Sequence, residues 1–175
     1  MLRSVAIAAI CLAEIFISSA CHATDLKEVL IGLRVVDFLA APLPAQSRLA
    51  ILYDSHSKTS EDDSNAILGW ITSSDAITKT SMVPFLLDVH NLVGAPAFQV
   101  GFLAAGLQSS YGPIGEFARK RGVVTISADL SCVRIGGCVV GVSSIPRVEV
   151  WLNRRLSEDA HIGFSEAFRM MVTEY

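Results

Sequence analysis

Cys132 and Cys138 stand either side of a Gly136–Gly137 pair in the run from Leu130 to Val140, a C-x5-C spacing late in a chain of 175 residues. Paired thiols serve three chemistries. A zinc centre wants four ligands, and no histidine lies nearby in sequence to complete one. A thioredoxin-like redox site wants C-x-x-C, which this spacing is not. A staple needs only an oxidising compartment and two Cα atoms within bridging distance, and strands joined by a Gly-Gly turn supply the second condition. The pair therefore reads as a disulfide on a hairpin, and closing a loop of about seven residues stabilises the fold by roughly 2.4 kcal/mol through chain entropy.

Other chemically capable residues are scattered. Asp54-Ser55-His56 holds the residue types of a catalytic triad consecutively, but neighbours on an extended segment point to opposite faces and make a poor relay. Asp54 and His56 with Asp62 and Asp63 would hold a cation only if the loop folded back, and helix capping with solubility accounts for the acids more simply. His90 and His161 are isolated in sequence and read as packing or surface residues. Arg119-Lys120-Arg121 would suit an anion, yet the run also fits the last turn of a helix that Gly122 ends. Gln108, Ser109 and Ser110 offer donors at the opening of a helix, either for a small anion or as a plain connecting loop. The chain has no G-x-S-x-G elbow, P-loop or G-x-G-x-x-G fingerprint. No catalytic set, cofactor or metal site is expected.

The first residues set the compartment. Arg3 gives a positive start, Val5 to Ala13 an apolar core, and Ser19 to Ala23 a run of small residues before charged sequence. That is the layout of a secretory signal peptide cleaved after Ala23. Glu14 interrupts the apolar stretch and leaves it short of the roughly 20 residues that span a bilayer, which argues against an N-terminal anchor. A lipoprotein cleaved after Ala20, with lipid on Cys21, is the other reading; Ser18 stands where such signals carry a branched apolar residue. The expected product is periplasmic, with residues 1–23 a signal peptide and 24–175 one domain of 152 residues. Cleavage removes Cys11 and Cys21 and leaves the C-x5-C pair alone in a compartment that permits disulfides. It also removes one base and one acid, so the formal charge stays at −3. A mildly acidic domain lacks the basic footprint of a nucleic-acid binder.

Around these residues the pattern alternates between helix and strand. Asp25 and Glu28 open a helix through Leu26, Leu30 and Leu33 as a capping box, and the prolines after Ala41 stop it. Arg48–Asp54 is a buried strand. A second helix is expected over about Glu61–Ser74 with Ser60 as N-cap. Met82–Leu92 holds a strand that Pro84 confines to a sheet edge, and Ala97–Ala105 holds a third. A helix from about Pro113 to Arg121 leads to the strand Val123–Asp129. Then Val133–Ser144 and Arg147–Asn153 form an antiparallel hairpin about Ile145-Pro146, followed by short helices over Arg154–Ala160 and Ser165–Glu174. This order predicts a single three-layer α/β domain with a mostly parallel sheet and a C-terminal antiparallel hairpin.

Thr125, Ser127 and Asp129 end one strand as Thr-x-Ser-x-Asp, Gly136 and Gly137 precede the next, Asn153 closes the one after, and a final amphipathic helix carries Phe168, Met170 and Met171. In these features the C-terminal third resembles the YfiR/HmsC family of small periplasmic proteins. The likeness is specific over Val123–Met171 and weak over about Asp54–Pro96. Leu39-Ala40-Ala41-Pro42 replaces the aromatic-proline end usual after the first helix. The resemblance implies a domain that dimerises in the periplasm and restrains an inner-membrane diguanylate cyclase through its periplasmic domain. It also implies a disulfide about the Gly-Gly turn, which Cys132 and Cys138 match, while the family's second, more distant pair is lacking. A regulatory partner protein is thus expected, with Val133, Arg134 and Ile135 between the cysteines as its candidate surface. The alternative is a small-ligand-binding periplasmic component allied to a transporter.

Overall fold

The computed structural model describes residues 23–73 and 82–175; residues 1–22 of the expected signal peptide lie outside them. Seven strands form one sheet in the order β2-β1-β3-β4-β5-β6-β7. They are β1 (Ser47–Tyr53), β2 (Met82–Asp88), β3 (Val100–Leu103), β4 (Val124–Ser127), β5 (Val140–Ser143), β6 (Glu149–Leu152) and β7 (Thr173–Glu174). The first five are parallel, β6 runs antiparallel to β5, and β7 runs parallel to β6. The expected α/β class and antiparallel hairpin are present.

Among the described residues six α-helices cover the sheet: α1 (Leu26–Arg34), α2 (Lys58–Ser73), α3 (Tyr111–Arg121), α4 (Leu130–Arg134), α5 (Arg154–Asp159) and α6 (Glu166–Arg169). Alternation along β1 sorts the two cores. Leu49 and Ile51 face Val29 and Leu33 of α1 and Ile67 of α2. Ala50 and Leu52 face Ile114 of α3 and Val133 of α4. A strand buried on both faces must be apolar almost throughout, which is why Leu49–Leu52 shows no polar residue. Leu156, Phe164 and Phe168 extend the first core under the C-terminal helices.

Local chemistry sets the boundaries. The Asp25–Glu28 capping box forms in both directions. Helix α3 ends where Gly122 takes a left-handed φ of 65° that a side chain would oppose. Pro84 sits on β2, which among the described residues is an edge strand paired with β1 alone. Three expectations need correction. Helix α2 begins at Lys58, so Ser60 lies inside it, where its Oγ accepts from the Asp54 N–H at 3.1 Å. The segment before the Gly-Gly turn is helix α4 and not a strand, because Asp129 caps it through the Ser131 N–H at 2.8 Å. The last helix stops at Arg169, and Thr173–Glu174 instead add a strand beside β6. There they satisfy edge groups that would otherwise stay open. Among the described residues no helix is long and apolar enough to cross a membrane.

Candidate functional site

The Thr-x-Ser-x-Asp run spends its side chains on structure. Thr125 Oγ1 accepts from the Val139 N–H at 3.0 Å, and Ser127 Oγ from the Asp129 N–H at 3.0 Å. Asp129 takes the Tyr111 hydroxyl at 2.8 Å and Gln108 Nε2 at 3.2 Å besides capping α4. Gln108 thus serves a carboxylate of the fold, which favours the plain connecting loop over a small-anion site. Burial pushes the Asp129 carboxyl up, but hydrogen bonds from Ser131, Tyr111 and Gln108 outweigh it and hold the group below its ordinary value. Burial, with Cys132 and Asp129 beside it, pushes the Tyr111 phenol above its usual range, so it remains a donor.

Cys132 on α4 and Cys138 just before β5 are both buried free thiols in this structure and lie in side-chain contact. Burial first, and then Cys132, pushes the Cys138 thiol well above its ordinary value, so its placement does not favour a reactive thiolate. The turn between them is tight. Gly136 has a φ of 75°, and the Gly137 N–H reaches back to the Cys132 carbonyl at 2.8 Å. A Cβ on Gly115 of α3 would run into the Gly136 carbonyl oxygen, so the turn is wedged against α3.

Of the three residues expected at a partner surface, Val133 is fully buried in the second core, which removes it. It occupies the inward face of α4, a position hidden when the segment is taken for a strand. Arg134 and Ile135 are exposed, Ile135 at 64%. The Arg134 guanidinium lies 4.8 Å from the Trp151 ring centre, and Trp151 stacks on Tyr175 at 5.0 Å. Asn153 ties this region together: its Nδ2 donates to the Val133 carbonyl at 2.7 Å and its Oδ1 caps α5 through the Leu156 N–H. A groove of about 420 Å³ results, lined by Arg134, Ile135, Gly136, Asn153, Arg155, Leu156, Asp159 and Tyr175. It lies toward the amino end of the parallel strands, where α4 leads into β5 and β6 ends.

The opposite, carboxyl end of the sheet carries a second cluster. Asp54 follows β1, and its Oδ1 accepts from the His56 N–H at 2.8 Å. Asp88 ends β2, and its Oδ1 accepts from the His90 N–H at 3.1 Å. Two Asp-x-His turns therefore close neighbouring parallel strands, and their imidazoles meet: His56 Nδ1 lies 3.0 Å from His90 Nε2. Asp54 Oδ1 is 3.1 Å from His90 Nε2 and 3.5 Å from His56 Nδ1. The His56 backbone hydrogen bond, then His90, holds the Asp54 carboxyl below its ordinary value. His90 is not isolated, as its sequence position implies; the repeated Asp-x-His at two strand ends was the signal available. Asp62 pairs with Lys58 and stays away. Asp63 turns inward to the Thr24 N–H and hydroxyl, both at 2.9 Å, and to the Ala105 N–H at 2.8 Å. Arg119 and Lys120 pair with Glu116 on their own helix, as a solvated helix end should.

No family model and no curated protein matches the chain. Its fold is similar to that of a Streptococcus pneumonia protein solved as an ABC domain in complex with L-Trp, with a TM-score of 0.61 and 8% identity. The match covers 84% of this chain and 60% of that one, so the chain spans about three-fifths of its neighbour's length. At that identity the likeness is one of fold, and α/β sheets of this kind host many functions.

Proposed function

We propose that the chain is an exported, non-catalytic interaction protein of the YfiR/HmsC type. Its partner is the periplasmic domain of an inner-membrane diguanylate cyclase, which it restrains to tune cyclic-di-GMP output. One observation carries the choice of surface: Arg134, Trp151 and Tyr175 form an exposed-to-half-buried stack beside exposed Ile135. Arg, Trp and Tyr are the residues most often found at the centre of binding interfaces, where rigid rings give contact area at low entropic cost. The turn that presents them is clamped by Asn153 and wedged against α3, so little ordering is left to pay on binding. The titratable groups around Asp129 are consumed by capping and turn bonds, which supports a role without catalysis.

The test is Arg134→Glu with Ile135→Asp, measured against the purified periplasmic domain of an inner-membrane diguanylate cyclase from the same organism. Both side chains face solvent, so circular dichroism stays unchanged. Central contacts contribute about 2 kcal/mol, so affinity falls roughly thirty-fold. A folded double variant that binds at wild-type affinity refutes this surface.

A second reading, a small-ligand-binding component allied to a transporter, is favoured by the L-Trp-bound neighbour of similar fold. Ligands of open α/β sheets bind beyond the strands' carboxyl ends where the strand order reverses, here between β1 and β3. In this chain Asp63 already joins Thr24 to Ala105 at that place. A saturable thermal shift with a free amino acid, and none with the cyclase domain, would select this reading.

A further inference from the structure

We propose that Asp54, His56 and His90 form a binding site for a divalent transition-metal ion of the Zn2+/Cu2+ class. This inference is independent of the partner surface. The three donor atoms are Asp54 Oδ1, His56 Nδ1 and His90 Nε2, separated by 3.0, 3.1 and 3.5 Å. Two ligands at about 2.05 Å from a tetrahedral centre are about 3.3 Å apart, so these separations are the edges of one face of such a site. An ion at that distance from all three atoms would stand about 0.9 Å out of their plane, close to the tetrahedral value of about 0.7 Å.

Hydrogen bonding alone leaves this arrangement short of protons. Each imidazole presents one nitrogen to the same carboxylate oxygen, and the contact between the rings needs a proton on one nitrogen and a lone pair on the other. A proton on His90 Nε2 would have to serve both Asp54 and His56, whereas a metal ion uses all three lone pairs at once. Imidazole with carboxylate is the donor set of Zn2+, Cu2+ and Ni2+, and is too nitrogen-rich for Ca2+ or Mg2+.

The backbone holds the ligands in place. Each histidine N–H is bound by the aspartate two residues before it, on strands locked in register with Tyr53 opposite Asp88. The Asp54 N–H is in turn fixed by Ser60. Both histidine side chains face solvent, at 78% and 49% exposure, so an ion enters without unfolding, and the fourth position opens to water, an anion or a donor from a partner.

The experiment uses untagged chain stripped with chelator and titrated calorimetrically with Zn2+, then with Cu2+. One ion per chain is expected. His56→Ala and His90→Ala should each weaken binding by more than the roughly 10–100-fold that loss of a second-shell partner costs. His161→Ala should leave it unchanged, and Co2+ should give the intense visible band of a four-coordinate site that both variants lose. Absence of saturable binding at millimolar metal would overturn the proposal. So would binding that survives both histidine variants and disappears with Cys132→Ala, which would place the ion at the thiols. Preference for Ca2+ or Mg2+ over Zn2+ would also count against it.

Discussion

Asp63→Ala tests how far the carboxyl end of the sheet depends on one buried acid. Asp63 joins three parts of the chain: its own helix α2, the residue before the α1 cap, and the loop after β3. It accepts from the Thr24 N–H at 2.9 Å, the Thr24 hydroxyl at 2.9 Å and the Ala105 N–H at 2.8 Å. Thr24 and Asp63 are both buried. Hydrogen bonds to a charged acceptor contribute about 1.5–3 kcal/mol each, but the three are not additive, because Thr24 lies near the start of the domain and can relax toward water. Ala105 follows Ala104, whose N–H is bonded to the Leu52 carbonyl at 2.9 Å, so its own half-buried N–H has less freedom and bears a desolvation cost of about 1–3 kcal/mol. The expected loss is therefore about 3–4 kcal/mol, which for a domain of this size lowers Tm by roughly 6–16 °C.

Thr24→Val removes only the hydroxyl bond and costs about 1–1.5 kcal/mol, because Asp63 keeps its two backbone donors. The assay is urea unfolding followed by circular dichroism on both single variants and the double variant. In the Asp63→Ala background Thr24→Val should cost almost nothing, giving a coupling of about 1 kcal/mol. An Asp63→Ala protein within 0.5 kcal/mol of wild type, or an undiminished Thr24→Val cost in the double variant, would refute the reasoning. The unfolding series uses the full chain, in which Thr24 donates to Asp63 as a backbone amide. On the proposed reading of export, mass spectrometry of a periplasmic extract should place the mature N-terminus at Thr24, and an intact Met1 there would overturn it.

Non-reducing peptide mapping of freshly exported protein should recover Cys132 linked to Cys138 within one chain, and reduction should lower Tm by roughly 5–10 °C, from about 2.4 kcal/mol of loop closure; two labelled free thiols would overturn the staple. Asp129, whose carboxyl is held below its ordinary value, contributes stability that is present above the unfolded carboxyl range near pH 4 and lost as pH falls through its folded pKa. Acid unfolding of Asp129→Asn should therefore show a shallower loss than wild type as pH falls below the ordinary carboxyl range near pH 4, and identical slopes would remove Asp129 from that account.

The parallel sheet was legible because its strands carry their environment in their composition. Leu49–Leu52 is apolar on both faces and Pro84 marks an edge, and both sit where those features require. Capping was legible for the same reason: Asp25 with Glu28, and Gly122, act within a few residues of themselves. Helix α4 was not, since Val133, Arg134 and Ile135 suit a strand as well as a helix, and only the Asp129 cap and the wedge against Gly115 decide between them. The same misreading placed Val133 on the surface. The histidine cluster was hidden by distance. His56 and His90 are 34 residues apart, and they meet only because β1 and β2 are neighbours in a parallel ladder. That adjacency follows from strand order, which no local pattern encodes.

The strand order also makes the two proposed sites independent. The groove at Arg134 and Ile135 belongs to the amino end of the parallel strands, and the Asp-x-His turns to the carboxyl end. Between them lies a sheet whose central strands are buried on both sides, a close-packed layer that does not deform gradually. The two ends share no side chain and no hydrogen bond among those described above. Helix α2, by contrast, serves the carboxyl end twice: Ser60 holds the Asp54 N–H, and Asp63, one turn on, holds Thr24 and Ala105. The proposed metal site and the Thr24 clasp therefore share one helix, while the proposed partner surface belongs to α4 and β6. Loss of partner binding in the Arg134 and Ile135 variant thus reports on the groove alone, and a change in metal affinity reports on the turns that α2 supports.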